Sequence, residues 1–309
     1  AAVSAHRQAG SVLKPVSCLG VAGRTWHRGS CPARQPLGDF DRRLDAAAYS
    51  VIERKQMPDR EYARHALLGI APPQTNPVVE AEMSALLPDG VGMVVTRLVG
   101  TADNARDRFY EYIDNLEASL QAYGKAQIDA FGFSFTATAY MTDVNQDERL
   151  AAMSEKVGYP IISSAQAIQR ALERIGAKRL ALFSPYPAWL TDLSSAYWTA
   201  EGYEVVSVAT MPEDTSDTVN IYGLRTEGML EASKALETEN ADAIVVTGSG
   251  MATLPAVAPL FARTGKPFLC SNICLAWALL DELGLAHLAP PEHPGEVLIG
   301  GWTPRLSRL

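Results

Sequence analysis

Three short stretches of the 309-residue chain place hydroxyls, small residues and a phenol where they could act on a substrate: Ser134-Phe135-Thr136-Ala137-Thr138, Ser184-Pro185-Tyr186 and Gly248-Ser249-Gly250. Ser134 offers a nucleophile or a hydrogen bond to a substrate carboxylate, and a turn serine that caps backbone is the plainer alternative. As a nucleophile it needs an activating base, because a hydroxyl is a far weaker acid than a thiol. In Gly248-Ser249-Gly250 the absence of bulk lets backbone N–H groups come close to an anion, as in an oxyanion hole. Its spacing superficially resembles a dinucleotide fingerprint, but Thr253 stands at the third glycine and the motif comes late in the chain, so no NAD site is expected. Asn76, just after Pro72-Pro73, offers an amide. Cys270 and Cys274 lie four residues apart at a strand-to-helix junction. A helix N-terminus lowers a thiol pKa, yet small buried cysteines are commoner in cores, and both are read as core. His65, His287 and His293 have no triad-like setting, and no carboxylate or histidine cluster accompanies the cysteines, so no metal site is expected.

The elements that must position these groups follow from alternation. Strands are expected at His65–Ile70, Gly92–Val99, Ile128–Phe135, Arg179–Phe183, Tyr203–Val208, Ala243–Thr247 and Pro267–Cys270, with amphipathic helices between them. In 106–123 the residues Phe109, Tyr112, Ile113, Leu116 and Leu120 share one face, and in 165–175 Ile168, Ala171, Leu172 and Ile175 do so. Such alternation means an α/β protein with parallel sheets covered by helices. Sites on these sheets lie at the carboxyl ends of the strands, which points to the turns after Phe135, Phe183, Thr247 and Cys270.

Composition bounds the rest. With 47% hydrophobic and 20% charged residues the chain can build a large core, and its net charge of −8 argues against a nucleic-acid footprint. The longest apolar run, near Ile273–Leu280, is too short for a membrane span and ends at Asp281-Glu282. A cytoplasmic protein binding neither nucleic acid nor membrane is expected, as a monomer or a homo-oligomer. Residues 1–56 differ in kind, with nine Lys/Arg, four Asp/Glu, many small residues and no hydrophobic period. Residues 1–60 are therefore expected to be an unstructured leader. It is either an Arg-rich targeting peptide or, the favoured reading, sequence upstream of a natural start at Met57. Cys18 and Cys31 within it are given no chemistry.

The sequence also repeats itself. Gly158-Tyr159-Pro160-Ile161-Ile162-Ser163-Ser164 leads into a helix with Ala171-Leu172 and Gly176, and Lys266-Pro267-Phe268-Leu269-Cys270-Ser271-Asn272 into one with Ala278-Leu279 and Gly284. Each is preceded by a strand opening Asp-Ala, at Asp129-Ala130 and Asp242-Ala243. Two lobes on one plan would face two Ser/Thr/Gly-rich turns across one cleft.

With these features the chain resembles the aspartate/glutamate racemase superfamily, in its maleate isomerase and arylmalonate decarboxylase branches. The matching stretches are Ile70–Glu80, Ser134–Tyr140, Ser184–Tyr186, Gly248–Pro255 and Cys270–Asn272, in family order from about residue 62 to 288. The resemblance implies two pseudo-symmetric flavodoxin-like lobes, a small carboxylate substrate between them, and no metal or organic cofactor. Lobe 1 is expected over 61–155 with 263–309 returning, and lobe 2 over 156–262. Racemases of the family use one cysteine on each lobe, the isomerases use the first thiolate as a nucleophile, and the decarboxylases keep the second as a proton donor. Here the two positions fall on Ser134 and Gly248, or on Phe133 or Ser249 with a slip of one residue. Two-thiol racemisation is therefore not expected.

The resemblance implies substrate contacts for Asn76 and Thr136 and a phenol at Tyr186 that binds carboxylate or enolate oxygen. The resulting expectation is a cofactor-independent decarboxylase or isomerase of a small carboxylic acid, working through an enolate-like intermediate. Ser134, Tyr186 and Ser249 are the candidate catalytic residues, with Asn76, Thr136, Gly248, Gly250 and Asn272 as substrate-binding ones. Two alternatives are an amide or ester hydrolase using Ser134 or Ser249, and a carboxylate-binding protein without turnover.

Overall fold

The computed structural model describes residues 60–307, so the expected leader falls, apart from Arg60, outside the described residues. Eight parallel strands form two four-stranded sheets of identical order. The first sheet runs β2-β1-β3-β4, with β1 Ala66–Ala71, β2 Val91–Val95, β3 Ala130–Phe133 and β4 Ile161–Ser163. The second runs β6-β5-β7-β8, with β5 Arg179–Ser184, β6 Glu204–Thr210, β7 Ala243–Val246 and β8 Phe268–Cys270. Central strands β1, β3, β5 and β7 are almost wholly buried, as parallel strands covered on both faces must be. The fold is α/β with two pseudo-symmetric lobes.

The repeat read from the sequence has a local cause. Each Asp-Ala pair ties the start of a central strand to its neighbour: Asp129 accepts from the Leu67 N–H of β1 at 2.7 Å, and Asp242 from the Lys178 and Arg179 N–H groups beside β5 at 2.9 and 2.8 Å. Each also meets an arginine, Arg60 at 3.1 Å and Arg179 at 2.8 Å. The Pro-led segments are the last strands of their sheets, β4 and β8, in matching register: Phe133 pairs with Ser163 and Val246 with Cys270. Sheet exchange therefore comes after Ser163 and after Cys270, not at the expected 156 and 263. A strand led by proline is suited to a sheet edge, where one flank needs no partner.

Helices α1 (Val78–Leu86), α2 (Ala105–Asp114), α3 (Leu116–Gln121) and α4 (Gln146–Val157) accompany the first sheet, and α6 (Ala188–Ala200), α7 (Thr226–Ala232) and α8 (Val257–Thr264) the second. The helix expected over 106–123 breaks at Asn115, whose side-chain amide donates to the Val99 carbonyl at 2.9 Å. Its apolar face is nonetheless buried throughout. Helices α5 (Ser164–Ile175) and α9 (Ser271–Glu282) follow the two last strands and pack on each other, and α9 also packs on α1, β3 and β4. Ser163 opens α5 with a capping box to Gln166, while Cys270 holds the equivalent place before α9. A short C-terminal helix, α10 (Thr303–Leu306), rests on α1. No described helix is long and apolar enough to cross a membrane.

Candidate active site

The carboxyl ends of β1, β3, β5 and β7 carry Asn76, Phe135, Tyr186 and the 248–250 turn, and these meet around one cavity. Its other lining residues include Phe109 and Tyr112 from α2, and Thr218, Ile221 and Tyr222 from a helical turn, Thr218–Gly223, that covers it. The cavity holds about 20 Å³, room for a single water. Substrate-sized sites commonly reach about 300 Å³, so the cleft is closed to a substrate in this conformation. The cover is fastened by Asp217, which accepts from Val219 N–H at 3.1 Å and pairs with Arg108 of α2 at 2.7 Å. Arg108 is bound on its other side to the carbonyls of Ala102 and Asp103, leaving no described cation on the cavity wall.

Each sequence candidate takes a distinct place. The Asn76 side-chain oxygen Oδ1 accepts from Val78 and Val79 N–H at 2.8 and 3.2 Å, which turns its NH₂ toward Ser249 Oγ, 3.3 Å away. Ser249 Oγ in turn donates to the Ser134 carbonyl at 2.9 Å across the two lobes. Thr136 Oγ1 and the Tyr186 hydroxyl share a hydrogen bond of 2.7 Å in which either can donate. Burial pushes the Tyr186 pKa well above 10, so the phenol is neutral. Gly248 has φ of +85°, a backbone conformation that favours glycine, and an added Cβ would lie 3.2 Å from the Tyr186 hydroxyl. Among the described residues, no protein oxygen accepts from the N–H of Gly248, Ser249 or Gly250.

Three candidates lie outside the cavity lining: Ser134, Asn272 and Thr136, the last fully buried behind the Tyr186 hydroxyl to which it bonds. Ser134 is fully buried, its hydroxyl has no partner, and Phe135 rather than Ser134 faces the cavity. The side chain of Ser134 points away because alternate residues leaving a strand face opposite sides. Asn272, expected at the substrate, sits behind Ser249: its amide NH₂ donates to Glu82 at 2.7 Å and lies 3.4 Å from the Ser249 carbonyl. Cys270 and Cys274 are buried and do not line the cavity, and burial raises both thiol pKa values, that of Cys270 to about 12. Both thiols lie in the core as expected, and at Cys270 desolvation outweighs the backbone N–H groups at the start of α9. No described cluster of His, Cys, Asp or Glu could hold a metal.

Sequence reasoning missed the aromatic wall and one acid. Phe109, Tyr112 and Phe135 pack edge to face, with centroids 4.9 Å (Phe109–Phe135) and 5.3 Å (Tyr112–Phe135) apart. Glu82 is buried on α1, and burial raises its pKa against four hydrogen bonds that lower it. Its signal was present: Val79, Glu82, Met83 and Leu86 lie on one helical stripe, so Glu82 interrupts an apolar face.

Comparison with known proteins agrees with this fold. A family model described as arylmalonate decarboxylase matches residues 68–293. A maleate isomerase of Geobacillus stearothermophilus is 25% identical over 252 residues, 77% of this chain and 99% of that protein. Among solved structures, the maleate isomerase Iso of Pseudomonas putida S16 superposes with a TM-score of 0.66 at 23% identity, over 77% of this chain and 99% of that one. An arylmalonate decarboxylase structure gives 0.54 at 21% identity, over 71% and 92%.

Proposed function

The chain belongs to the arylmalonate decarboxylase family, and we propose that it is a cofactor-independent decarboxylase of a small malonate-type acid bearing an apolar or aromatic substituent. The observation that carries this reading is the cavity itself: Phe109, Tyr112, Phe135 and Tyr222 form an aromatic wall, and its polar lining includes the neutral Tyr186 phenol, the Asn76 amide, Thr218, Ser249 and the N–H groups of 248–250, which have no described protein acceptor. An apolar wall without a cation disfavours a carboxylate pressed against it and favours its departure as neutral CO₂.

In this mechanism the bond from Cα to one carboxylate breaks, CO₂ leaves, and the electron pair passes into an enediolate on the remaining carboxylate. The N–H groups of Ser249 and Gly250 hold the developing oxyanion. Tyr186 then gives its proton to Cα, with Thr136 Oγ1 donating into the phenol oxygen at 2.7 Å and steadying the tyrosinate. Water returns the proton when the cleft opens. Asn76 orients the substrate.

Isomerisation through a thiolate is disfavoured because neither described cysteine reaches the cavity. Hydrolysis by Ser249 is disfavoured because its hydroxyl donates to a backbone carbonyl and no described base adjoins it. The test is proton NMR in D₂O on the full chain, with phenylmalonate and maleate in parallel. Phenylacetate carrying one deuterium at Cα is the expected product. Fumarate from maleate would move the assignment to an isomerase, and silence with both would overturn the reading.

A further inference from the structure

The two acids of α1 contrast sharply. Glu80 is partly exposed and pairs with Arg97 at 2.7 Å, whereas Glu82, two residues on and on the opposite side of the helix, is 3% exposed and belongs to none of the ion pairs among the described residues. A buried carboxylate without a counter-ion is costly and persists where hydrogen bonds satisfy it. Its partners are all donors: Thr253 N–H at 2.5 Å, Leu254 N–H at 2.9 Å, Thr253 Oγ1 at 3.1 Å and the Asn272 amide at 2.7 Å. Glu82 belongs to the first lobe, and Thr253 and Leu254 follow β7 of the second.

The Asn272 amide links this clamp to the cavity. Because the carboxylate takes its NH₂, the amide orientation is fixed, and the same nitrogen lies 3.4 Å from the Ser249 carbonyl. That carbonyl and the Gly250 N–H belong to one planar trans peptide and point in opposite directions. Holding the carbonyl from behind aims the N–H forward, on the side where Ser249 and Gly250 line the cavity.

We propose that Glu82 is a positioning residue which, through Asn272, fixes the Ser249–Gly250 peptide so that its N–H faces the substrate; this role rests on the anion-binding use of that peptide argued above. Glu82→Gln is nearly isosteric and still accepts from Thr253 and Leu254. Its new NH₂, however, turns Asn272 over to present its oxygen, which has no partner in the present structure. The Ser249 carbonyl then loses its donor.

The experiment combines two readouts on the full chain. The first is the ¹⁵N-Asn side-chain spectrum, in which the Asn272 signal is the one absent from Asn272→Ala. In the wild type one amide proton lies downfield, bonded to the carboxylate, and in Glu82→Gln it moves upfield. The second is phenylmalonate turnover in Glu82→Gln, Asn272→Ala and the double variant. Removing one oxyanion donor costs about 100-fold or more in kcat, and a mis-aimed donor is expected to cost about tenfold, with KM within about threefold. The double variant should be no slower than the slower single one. Multiplying losses, or losses that follow melting temperature with KM and kcat unsplit, would overturn the proposal, as would an Asn272 signal unmoved by Glu82→Gln. If Glu82→Gln does not fold, Asn272→Ala must reproduce the kcat loss alone. If the wild type itself is silent, the decarboxylase reading fails while the Asn272 signal still decides the clamp.

Discussion

The Cβ that any side chain at position 248 would carry lies 3.2 Å from the Tyr186 hydroxyl. At Gly248, the position counted as that of the second-lobe cysteine, a thiol would require the Tyr186 phenol and the Pro185 ring to give by a few tenths of an ångström. The left-handed backbone adds to this, at about 1–2 kcal/mol for a residue with a Cβ. Gly248→Cys is expected to lower stability by about that amount and to yield no two-base racemisation, read by melting temperature and by α-deuterium exchange of a chiral 2-arylpropionate. Exchange with racemisation would show that the phenol yields its place.

Tyr186 makes a second prediction through its protonation. Burial raises its pKa well above 10, and the acting form is the neutral phenol. The protonated fraction is thus full at neutral pH and stays so as pH rises to 10, with loss only above that. The profile of kcat should be flat from pH 7 to 10, and Tyr186→Phe should lose about 100-fold or more in kcat. A basic limb between pH 8 and 9 would instead indicate a thiol donor.

The two described cysteines should be inert. Cys270 occupies the place that Ser163 takes in the first repeat, and burial lifts its thiol to about 12. The thiolate fraction at pH 8 is then on the order of one in 10,000. In a Cys18→Ser/Cys31→Ser background the folded protein should not react with a disulfide reagent, and Cys270→Ala should retain most of the turnover. Rapid labelling of the native state would place a thiol at the site after all.

Legibility from sequence followed the range of the physics involved. Strand alternation and the Asp-Ala and Pro-led repeats were readable because each is a short sequence signature that recurs with the same role: Asp129 bonds the neighbouring strand just as Asp242 does. Asn76, Tyr186 and Ser249 meet at one cavity because turns after central strands converge. Ser134 and Phe135 differ by one residue, which reverses the side-chain direction, and counting along a motif cannot fix that parity. Phe109, Tyr112 and Tyr222 were hidden because an aromatic on an amphipathic helix or a covering turn looks like core until the opposite lobe is placed. Glu82 is the instructive omission, since a carboxylate on the stripe of Val79, Met83 and Leu86 already implied a buried partner set.

The cover of the cleft gives the last prediction. Asp217 and Arg108 join the turn Thr218–Gly223 to α2, and Tyr222 of that turn closes over Gly250, where an added Cβ would lie 2.6 Å from its ring. Since the closed cavity holds about 20 Å³, the turn must lift to admit any carboxylate larger than a water. Asp217→Asn retains an oxygen for the Val219 N–H but removes the charge facing Arg108, whose side chain is only 10% exposed. Ion pairs at such partly exposed places contribute about 1 kcal/mol or less, so amide exchange over 217–224 should quicken by about fivefold or less at low salt. Raising the salt concentration should bring the wild type toward the variant. Equal exchange in the two proteins at low salt would show that packing of Ile221 and Tyr222, and not the ion pair, holds the cleft closed.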